Sequence, residues 1–194
     1  MAGAHEAWWW EMTDQHTAAT APGEIVGSGC VIWITGMSGA GKTTLARELL
    51  VRLRSRGVTP ILLDGDELRS ALGVVGSFDY GGRHELAFVY ARLCGLLAVQ
   101  GHVVLCSTIA LFHDVQRWNR MNLRNYFEVF LDVPAAELAR RNSKGLYDGA
   151  GQDVVGVGVP AEYPLRPDLR VANHGTTTPA DVADRIVSLC ASRM

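Results

Sequence analysis

Residues 36–43 are Gly-Met-Ser-Gly-Ala-Gly-Lys-Thr and match the pattern GxxxxGK[ST]. They follow the apolar run Cys30–Thr35 and precede a segment in which Leu45, Leu49 and Leu53 repeat with helical spacing. A strand before the pattern and a helix after it are the context that a phosphate-binding loop requires. The sequence therefore predicts a nucleoside triphosphate site at the turn between these two elements.

Each residue type in this loop has a physical role in binding a nucleotide phosphate. Glycines allow a tight turn in which several backbone N–H groups converge on one phosphate, and the helix N-terminus adds a partial positive charge. Lys42 is placed to reach the β and γ phosphates of ATP, and the Thr43 hydroxyl is placed to bind Mg²⁺. We expect the nucleotide to contact Gly36, Ser38, Gly39, Ala40, Gly41, Lys42, Thr43 and Thr44.

Further apolar runs alternate with helical patterns along the chain. The predicted strands are Cys30–Thr35, Pro60–Asp64, Val103–Thr108, Phe127–Asp132 and, more weakly, Leu169–Ala172. The runs are continuous rather than alternating, which is typical of strands that are buried on both faces of a parallel sheet. This order predicts an α/β fold of three layers, with a parallel sheet of about five strands flanked by helices.

The sequence predicts both ends of two helices and the start of a third. The first covers Lys42–Arg56 and stops at Gly57, and the second covers Arg83–Gln100 and stops at Gly101. The last begins with Thr178 as the N-cap, followed by Pro179 at the first helical position.

Composition sets the limits for the rest of the chain. The chain has 194 residues, of which 48% are hydrophobic and 20% charged, with a formal net charge of −2. These values predict one cored domain without the broad basic surface that duplex nucleic acid requires. No apolar run approaches the roughly 18 residues of a membrane-spanning helix. We expect neither a nucleic-acid nor a membrane partner.

The N-terminus and the cysteines add two expectations. Residues 1–24, which include Trp8, Trp9 and Trp10, are predicted to form a tail that precedes a single domain over residues 25–194. They lack the basic start and the apolar middle of a signal peptide. The four cysteines form no CxxC pair, so we expect buried, reduced thiols and a cytoplasmic protein.

A phosphate-binding loop serves either a GTP-driven switch or a phosphoryl transferase. The guanine-reading NKxD motif is absent, and the second predicted strand ends in Leu63-Asp64-Gly65-Asp66. Carboxylates at the carboxyl end of a strand face the crevice where such sheets bind ligands. Asp64 is thus placed to accept a hydroxyl proton or to hold Mg²⁺, and Arg69 to meet an anionic acceptor. The alternative is that both aspartates cap the next helix, but the pattern favours transfer of phosphate to a small molecule.

Four motifs together resemble the adenylylsulfate (APS) kinase family. They are GMSGAGKTT (36–44), LDGDELR (63–69), FEVFLD (127–132) and KGLY (144–147). The resemblance implies a P-loop kinase fold with a mobile lid around residues 144–167. It also implies transfer of the γ-phosphate of ATP, with Mg²⁺, to the 3′-hydroxyl of APS or of a similar nucleotide-like acceptor, and it allows for a homodimer.

The resemblance also implies roles for particular residues. Asp64 and Lys42 would be catalytic, Thr43 and Asp64 would bind the metal, and Arg141 would lie along the ATP base. Arg69 and Arg83 would bind the phosphate-bearing group of the acceptor, and Phe78 would stack on its adenine. The implied acceptor-side set is Asp66, Arg69, Phe78, Arg83, Ile109, Lys144, Gly145 and Leu146.

The departures from the family pattern cluster on the acceptor side. Leu86 replaces an Asn, Ala110 and Leu111 replace the Ser and Pro of an Ile-Ser-Pro turn, and Val154 and Gly158 replace an aromatic residue and an Asp of the lid. A lost stacking ring removes about 1–3 kcal/mol of base binding. The alternatives to an APS kinase are therefore a kinase that acts on a different nucleotide conjugate or on a less anionic metabolite, and a non-catalytic nucleotide sensor.

Overall fold

The apolar run before the phosphate loop forms the central strand of a parallel sheet. The computed structural model describes residues 29–73, 79–141 and 161–191. Its strands are β1 (Cys30–Gly36), β2 (Ile61–Asp64), β3 (Val103–Ser107), β4 (Tyr126–Asp132) and β5 (Leu169–Ala172). They are all parallel, in the order β2-β3-β1-β4-β5. The predicted five-stranded parallel sheet is confirmed.

Helices cover both faces of this sheet. In the described part of the chain they are α1 (Lys42–Ser55), α2 (Gly65–Ala71), α3 (Tyr80–Val99), α4 (His113–Asn122), α5 (Ala135–Arg141) and α6 (Pro179–Ala191). Each strand of a parallel sheet needs a crossover to the next, and a helix is its usual form. The three-layer α/β architecture is therefore also confirmed.

Alternate residues of β1 enter two separate cores. Ile32 and Ile34 lie in the cluster that α1 and α6 complete, which includes Leu49 and Ile186. Val31 and Trp33, both fully buried, pack in a second cluster with α3 and α4. Because side chains of a strand alternate between its faces, one continuous apolar run supplies both cores.

The predicted element limits hold to within a few residues. β2 begins at Ile61 rather than at Pro60, which has no backbone N–H to donate to a ladder. α3 begins at Tyr80 rather than at Arg83, because the Asp79 side chain caps it by accepting a hydrogen bond from Gly82 N at 2.8 Å.

The last helix begins at the predicted cap. α6 starts at Pro179, and Thr178 Oγ1 accepts a hydrogen bond from Asp181 N at 3.2 Å.

The four cysteines are free and buried, as predicted. Burial raises the pKa of Cys30 to about 11, so this thiol stays neutral at physiological pH. Within the described residues, no helix has the length and apolar character needed to cross a membrane. The tail with Trp8–Trp10 lies outside the described residues.

A network of charged side chains ties α4 to β4 and to the residue before β5. Glu128 of β4 is 1% exposed, and Arg120 of α4 donates to its Oε2 at 2.8 Å. Arg120 also lies 3.2 Å from Asp168 Oδ2, and that oxygen accepts from Glu128 N at 2.8 Å. Burial raises the pKa of the Glu128 carboxyl, an effect that Arg120 opposes. The carboxylate therefore depends on this guanidinium for its compensation.

Arg120→Ala is expected to lower the free energy of unfolding at pH 7 by about 2–3 kcal/mol. Breaking a buried pair costs about 3–5 kcal/mol, and the exposed part of Arg120 reduces that figure. A raised carboxyl pKa means that the folded state binds the proton more tightly, so the loss is smaller at pH 5 than at pH 8. Urea denaturation at several pH values measures it.

Glu128→Gln added to Arg120→Ala removes the buried charge and should restore part of the stability. Arg117→Ala, at an exposed position of the same helix, is the matched control and should have little effect. An equal loss at every pH, with no restoration by the double variant, would contradict this account of Glu128.

Candidate active site

The phosphate loop lies between the end of β1 and the start of α1. Gly41 is the N-cap of α1 and adopts a left-handed conformation with φ 93°, which favours glycine over any residue with a side chain. The first amides of α1 have no acceptor within the helix, and its first turn contains no acidic residue. The loop is therefore built to receive an anion, as the sequence predicts.

Lys42 folds back across the loop. Its Nζ donates to Gly36 O at 3.0 Å and to Met37 O at 2.8 Å. These bonds keep the ammonium group at the mouth of the loop, where the sequence analysis expects phosphate oxygens. Ser38, Gly39 and Ala40 form the turn between the strand and the helix, and Thr44 is exposed in the first turn of α1.

Asp64 is the point at which three elements meet. It ends β2, is only 6% exposed, and its Oδ2 accepts from Thr43 Oγ1 of α1 and from Ser107 Oγ of β3, both at 2.6 Å. Its Oδ1 accepts from Asp66 N at 3.0 Å and caps α2. The helix-capping alternative therefore describes Oδ1, whereas Oδ2 faces the phosphate loop. Capping is thus observed for Asp64 and not for Asp66, and the role of Asp64 in proton transfer or Mg²⁺ binding stays a prediction.

The acceptor-side residues of β2 and α2 lie beside this carboxylate. Asp66 and Arg69 form an ion pair on one face of α2. Tyr90 of α3 is buried and donates from its hydroxyl to Gly65 O at 3.1 Å. Burial raises the pKa of Tyr90 to about 12, so the hydroxyl remains a donor at physiological pH. α3 is thereby tied to the turn that carries Asp64.

The other described positions that the resemblance implies for the acceptor side lie on α3 and just after β3. Arg83 and Leu86 lie in α3 together with Tyr90, at spacings that place them near one face of the helix. Ile109 is fixed by its carbonyl, which accepts from Thr35 Oγ1 at 2.7 Å. Leu86 packs against the apolar cluster between α3 and α4. It presents no hydrogen-bonding group where the family has an amide.

The two positions that depart from the Ile-Ser-Pro turn are buried. Leu111 is 1% exposed and joins the core of α1 and α6, and Ala110 joins the core of α3 and α4. Leu111 O accepts from Glu162 N at 3.0 Å. The turn thus adds apolar packing and no polar side chain to this part of the site.

The lid falls largely outside the described residues. The residues outside the described ranges include five predicted lid positions, namely Lys144, Gly145, Leu146, Val154 and Gly158. They also include Phe78, which precedes α3. The predicted roles of all six stay predictions. The end of the predicted lid, residues 161–167, is described and is tied to α4. Gln116 Nε2 donates to Glu162 O at 3.0 Å, and Arg120 Nη2 donates to Arg166 O at 2.6 Å.

Arg141, at the end of α5, lies on the other side of the phosphate loop. Its Nε donates to Glu137 Oε1 at 2.8 Å and its Nη2 to Asn173 O at 2.7 Å. Hydrogen bonds from Arg140 and Arg141 lower the pKa of Glu137 to about 2. Arg141 therefore keeps an ionised partner at all physiological pH values.

Sequence reasoning missed Ser107, Tyr90 and Asn173. Ser107 is the residue of β3 that pairs directly with Asp64 of β2, which only the strand register reveals. Tyr90 lies inside an apolar helical pattern that gives no polar signal. Asn173 follows the weakest of the predicted strands and donates from Nδ2 to Ala40 O at 2.7 Å.

A parallel sheet, a phosphate loop at the end of its central strand β1, and a carboxylate at the end of the edge strand β2 together define a P-loop kinase. Residues 28–172 match the family model described as adenylylsulphate kinase. The chain belongs to the adenylylsulfate kinase family, and it is an ATP-dependent phosphotransferase of nucleotide-like acceptors.

Two curated relatives have similar levels of identity and different names. The cytidine diphosphoramidate kinase of Campylobacter jejuni is 37% identical over 147 residues, which are 74% of this chain and 85% of that protein. The adenylyl-sulfate kinase of Deinococcus deserti is 41% identical over 157 residues, 79% of this chain and 87% of that protein.

The fold agrees with a solved structure. The APS kinase of Mycobacterium tuberculosis, in complex with AMPPNP and APS, superposes with a TM-score of 0.75 and 30% identity. The match covers 84% of this chain and 97% of that one.

Asp64→Asn is expected to lower the rate of acceptor-dependent ADP release by about a hundredfold or more, the usual size of a lost acid–base contribution. The amide keeps the shape of the side chain, so the Kd for MgADP should change only a few-fold. Asp184→Asn, which removes an exposed partner of Arg52, is the control. Full activity in Asp64→Asn would show that this carboxylate has no part in the chemistry.

Proposed function

We propose that the protein transfers the γ-phosphate of MgATP to the 3′-hydroxyl of adenylyl sulfate or of a similar nucleotide conjugate. The observation that carries the proposal is the position of Asp64 Oδ2, which is 2.6 Å from Thr43 Oγ1 of the phosphate loop. Asp64 is also the N-cap of α2, the helix that contains Asp66 and Arg69. The donor loop and the implied acceptor-side residues thus meet at one carboxylate, the loop at Oδ2 and Asp66 at Oδ1.

The residues around Asp64 fit Mg²⁺. Magnesium prefers oxygen ligands and is usually held by one or two protein groups together with substrate phosphates and waters. The Thr43 hydroxyl and the Asp64 carboxylate supply such oxygens beside the loop. Among residues 29–73, 79–141 and 161–191, no three His, Cys, Asp or Glu side chains come together as a metal site. The ion that we propose would enter with the nucleotide and neutralise phosphate charge.

The chain's own groups have distinct parts in this proposal. Lys42 and the first amides of α1 bind and orient the phosphates. Asp64 accepts the proton of the acceptor hydroxyl as that oxygen attacks the γ-phosphorus and ADP leaves; alternatively, its carboxylate would help to hold Mg²⁺. Ser107, which donates to Asp64 Oδ2, would keep the carboxylate oriented if the Thr43 hydroxyl bound Mg²⁺. Arg69 and Arg83 bind the anionic part of the acceptor.

The named activities of the two relatives leave two nucleotide conjugates as candidates. One relative is named for adenylyl sulfate and the other for cytidine diphosphoramidate. Leu86, which is partly buried against the cluster between α3 and α4, favours an acceptor that differs from APS in the group it would face. Adenylyl sulfate remains the first acceptor to test, and a different nucleotide conjugate is the second candidate.

Two further expectations belong to this proposal. A homodimer is the assembly that the resemblance to the family favours, and the cysteine usage favours a cytoplasmic enzyme. Sedimentation measures the first, and fractionation of cells measures the second.

The acceptor is identified by measuring ADP release from MgATP alone, with APS, with cytidine diphosphoramidate, and with other nucleotides and hydroxylated metabolites. We expect a nucleotide conjugate to raise the rate well above that with ATP alone. Stimulation by other acceptors but not by APS would remove APS as the substrate. No stimulation by any compound would leave the non-catalytic sensor as the better description.

Leu86→Asn is expected to raise kcat/KM for APS about three- to tenfold, the effect of one added hydrogen bond to the acceptor. Leu97→Asn makes the same change on α3 but 11 residues, or about 16 Å, further along the helix, and should leave kcat/KM unchanged. If both variants behave alike, position 86 does not determine the acceptor.

A further inference from the structure

Asn173, the residue after β5, contacts the phosphate loop through its side-chain amide. Its Nδ2 donates to Ala40 O at 2.7 Å. Its backbone N donates to Asp132 O at 3.1 Å, and its backbone O accepts from Arg141 Nη2 at 2.7 Å. The side chain therefore starts from a backbone that is fixed on both sides, and it reaches one carbonyl of the loop.

The Ala40 carbonyl controls the direction of the next amide. A trans peptide unit is planar, so its C=O and its N–H point in opposite directions. When Asn173 draws the Ala40 oxygen toward β5, the N–H of Gly41 in the same peptide unit points away from β5. That N–H belongs to the set of amides that such loops direct at a phosphate.

The fit around this contact is close. A Cβ on Gly41 would lie 2.8 Å from Asn173 Nδ2, a distance that real Cβ contacts essentially never show. Gly41 also has a φ of 93°, which a side chain rarely adopts. The loop and the amide of Asn173 are therefore matched in shape as well as in hydrogen bonding.

We propose that Asn173 is a positioning residue, which orients the Ala40–Gly41 peptide so that the Gly41 amide faces the nucleotide phosphates. It acts through the loop and requires no contact with the base or the ribose. The inference rests on nucleotide binding at the loop and is independent of the acceptor named in the proposed function.

The test measures binding of MgADP and of tripolyphosphate, which has phosphates but no base, to the full chain in the absence of acceptor. Asn173→Ala removes the amide, and Asn173→Leu removes it while keeping a similar volume. We expect both variants to bind both probes about tenfold more weakly, in proportion. Competition against a fluorescent ADP analogue gives both values of Kd, and thermal unfolding shows that each variant is folded.

Asn122→Ala is the matched control, because Asn122 also donates from Nδ2 to a backbone carbonyl, Trp118 O, at 2.8 Å on α4. Its Kd values should equal those of the wild type. Weaker binding of MgADP with unchanged binding of tripolyphosphate would assign Asn173 to the base or ribose and overturn the proposal. Unchanged binding of both probes by a folded variant would overturn it too. Neither readout depends on finding the acceptor.

Discussion

The carboxylate of Asp64 is the constraint on which the site depends. A carboxylate that is almost removed from water needs hydrogen-bond donors, because an uncompensated buried charge is strongly unfavourable. Thr43, Ser107 and the amide of Asp66 supply them, and each comes from a different element. The phosphate loop, the end of β3 and the start of α2 are thus held together by one side chain.

Ion pairs that involve arginine explain how a chain with a net charge of −2 can be suited to anionic substrates. The positive groups near the site are held by specific neighbours. Arg141 pairs with Glu137, whose pKa lies near 2, and Arg69 pairs with Asp66. Such pairs orient the guanidinium groups, so that charge is concentrated by geometry rather than by composition.

The sequence was sufficient for features that depend on local chemistry. Glycine spacing located the phosphate loop, continuous apolar runs located the strands, and Thr178 marked the start of α6. The same local reasoning placed Asp64 at a strand end and left capping as an alternative to catalysis. Only the structure shows that Oδ1 forms the cap while Oδ2 contacts Thr43 beside the phosphate loop.

Other features depend on which strands are neighbours. Ser107 matters because β3 pairs with β2 in a register that places it opposite Asp64, and Asn173 matters because β5 ends near the phosphate loop. No spacing in the sequence encodes either contact. The acceptor is harder still to predict, because the positions that the family resemblance implies for its recognition include Lys144, Gly145 and Leu146, which lie outside the described residues.

The order of the strands has a consequence for how such an enzyme changes over evolution. β1 carries the phosphate loop in the middle of the sheet, with β3 and β2 on one side and β4 and β5 on the other. The acceptor-side residues Asp66, Arg83 and Ile109 belong to the first side, whereas Arg141 and Asn173 belong to the second. Among the residues that the structure describes, substitutions in the first set can therefore alter the implied acceptor side and leave in place the contacts of Arg141 and Asn173 with the phosphate loop.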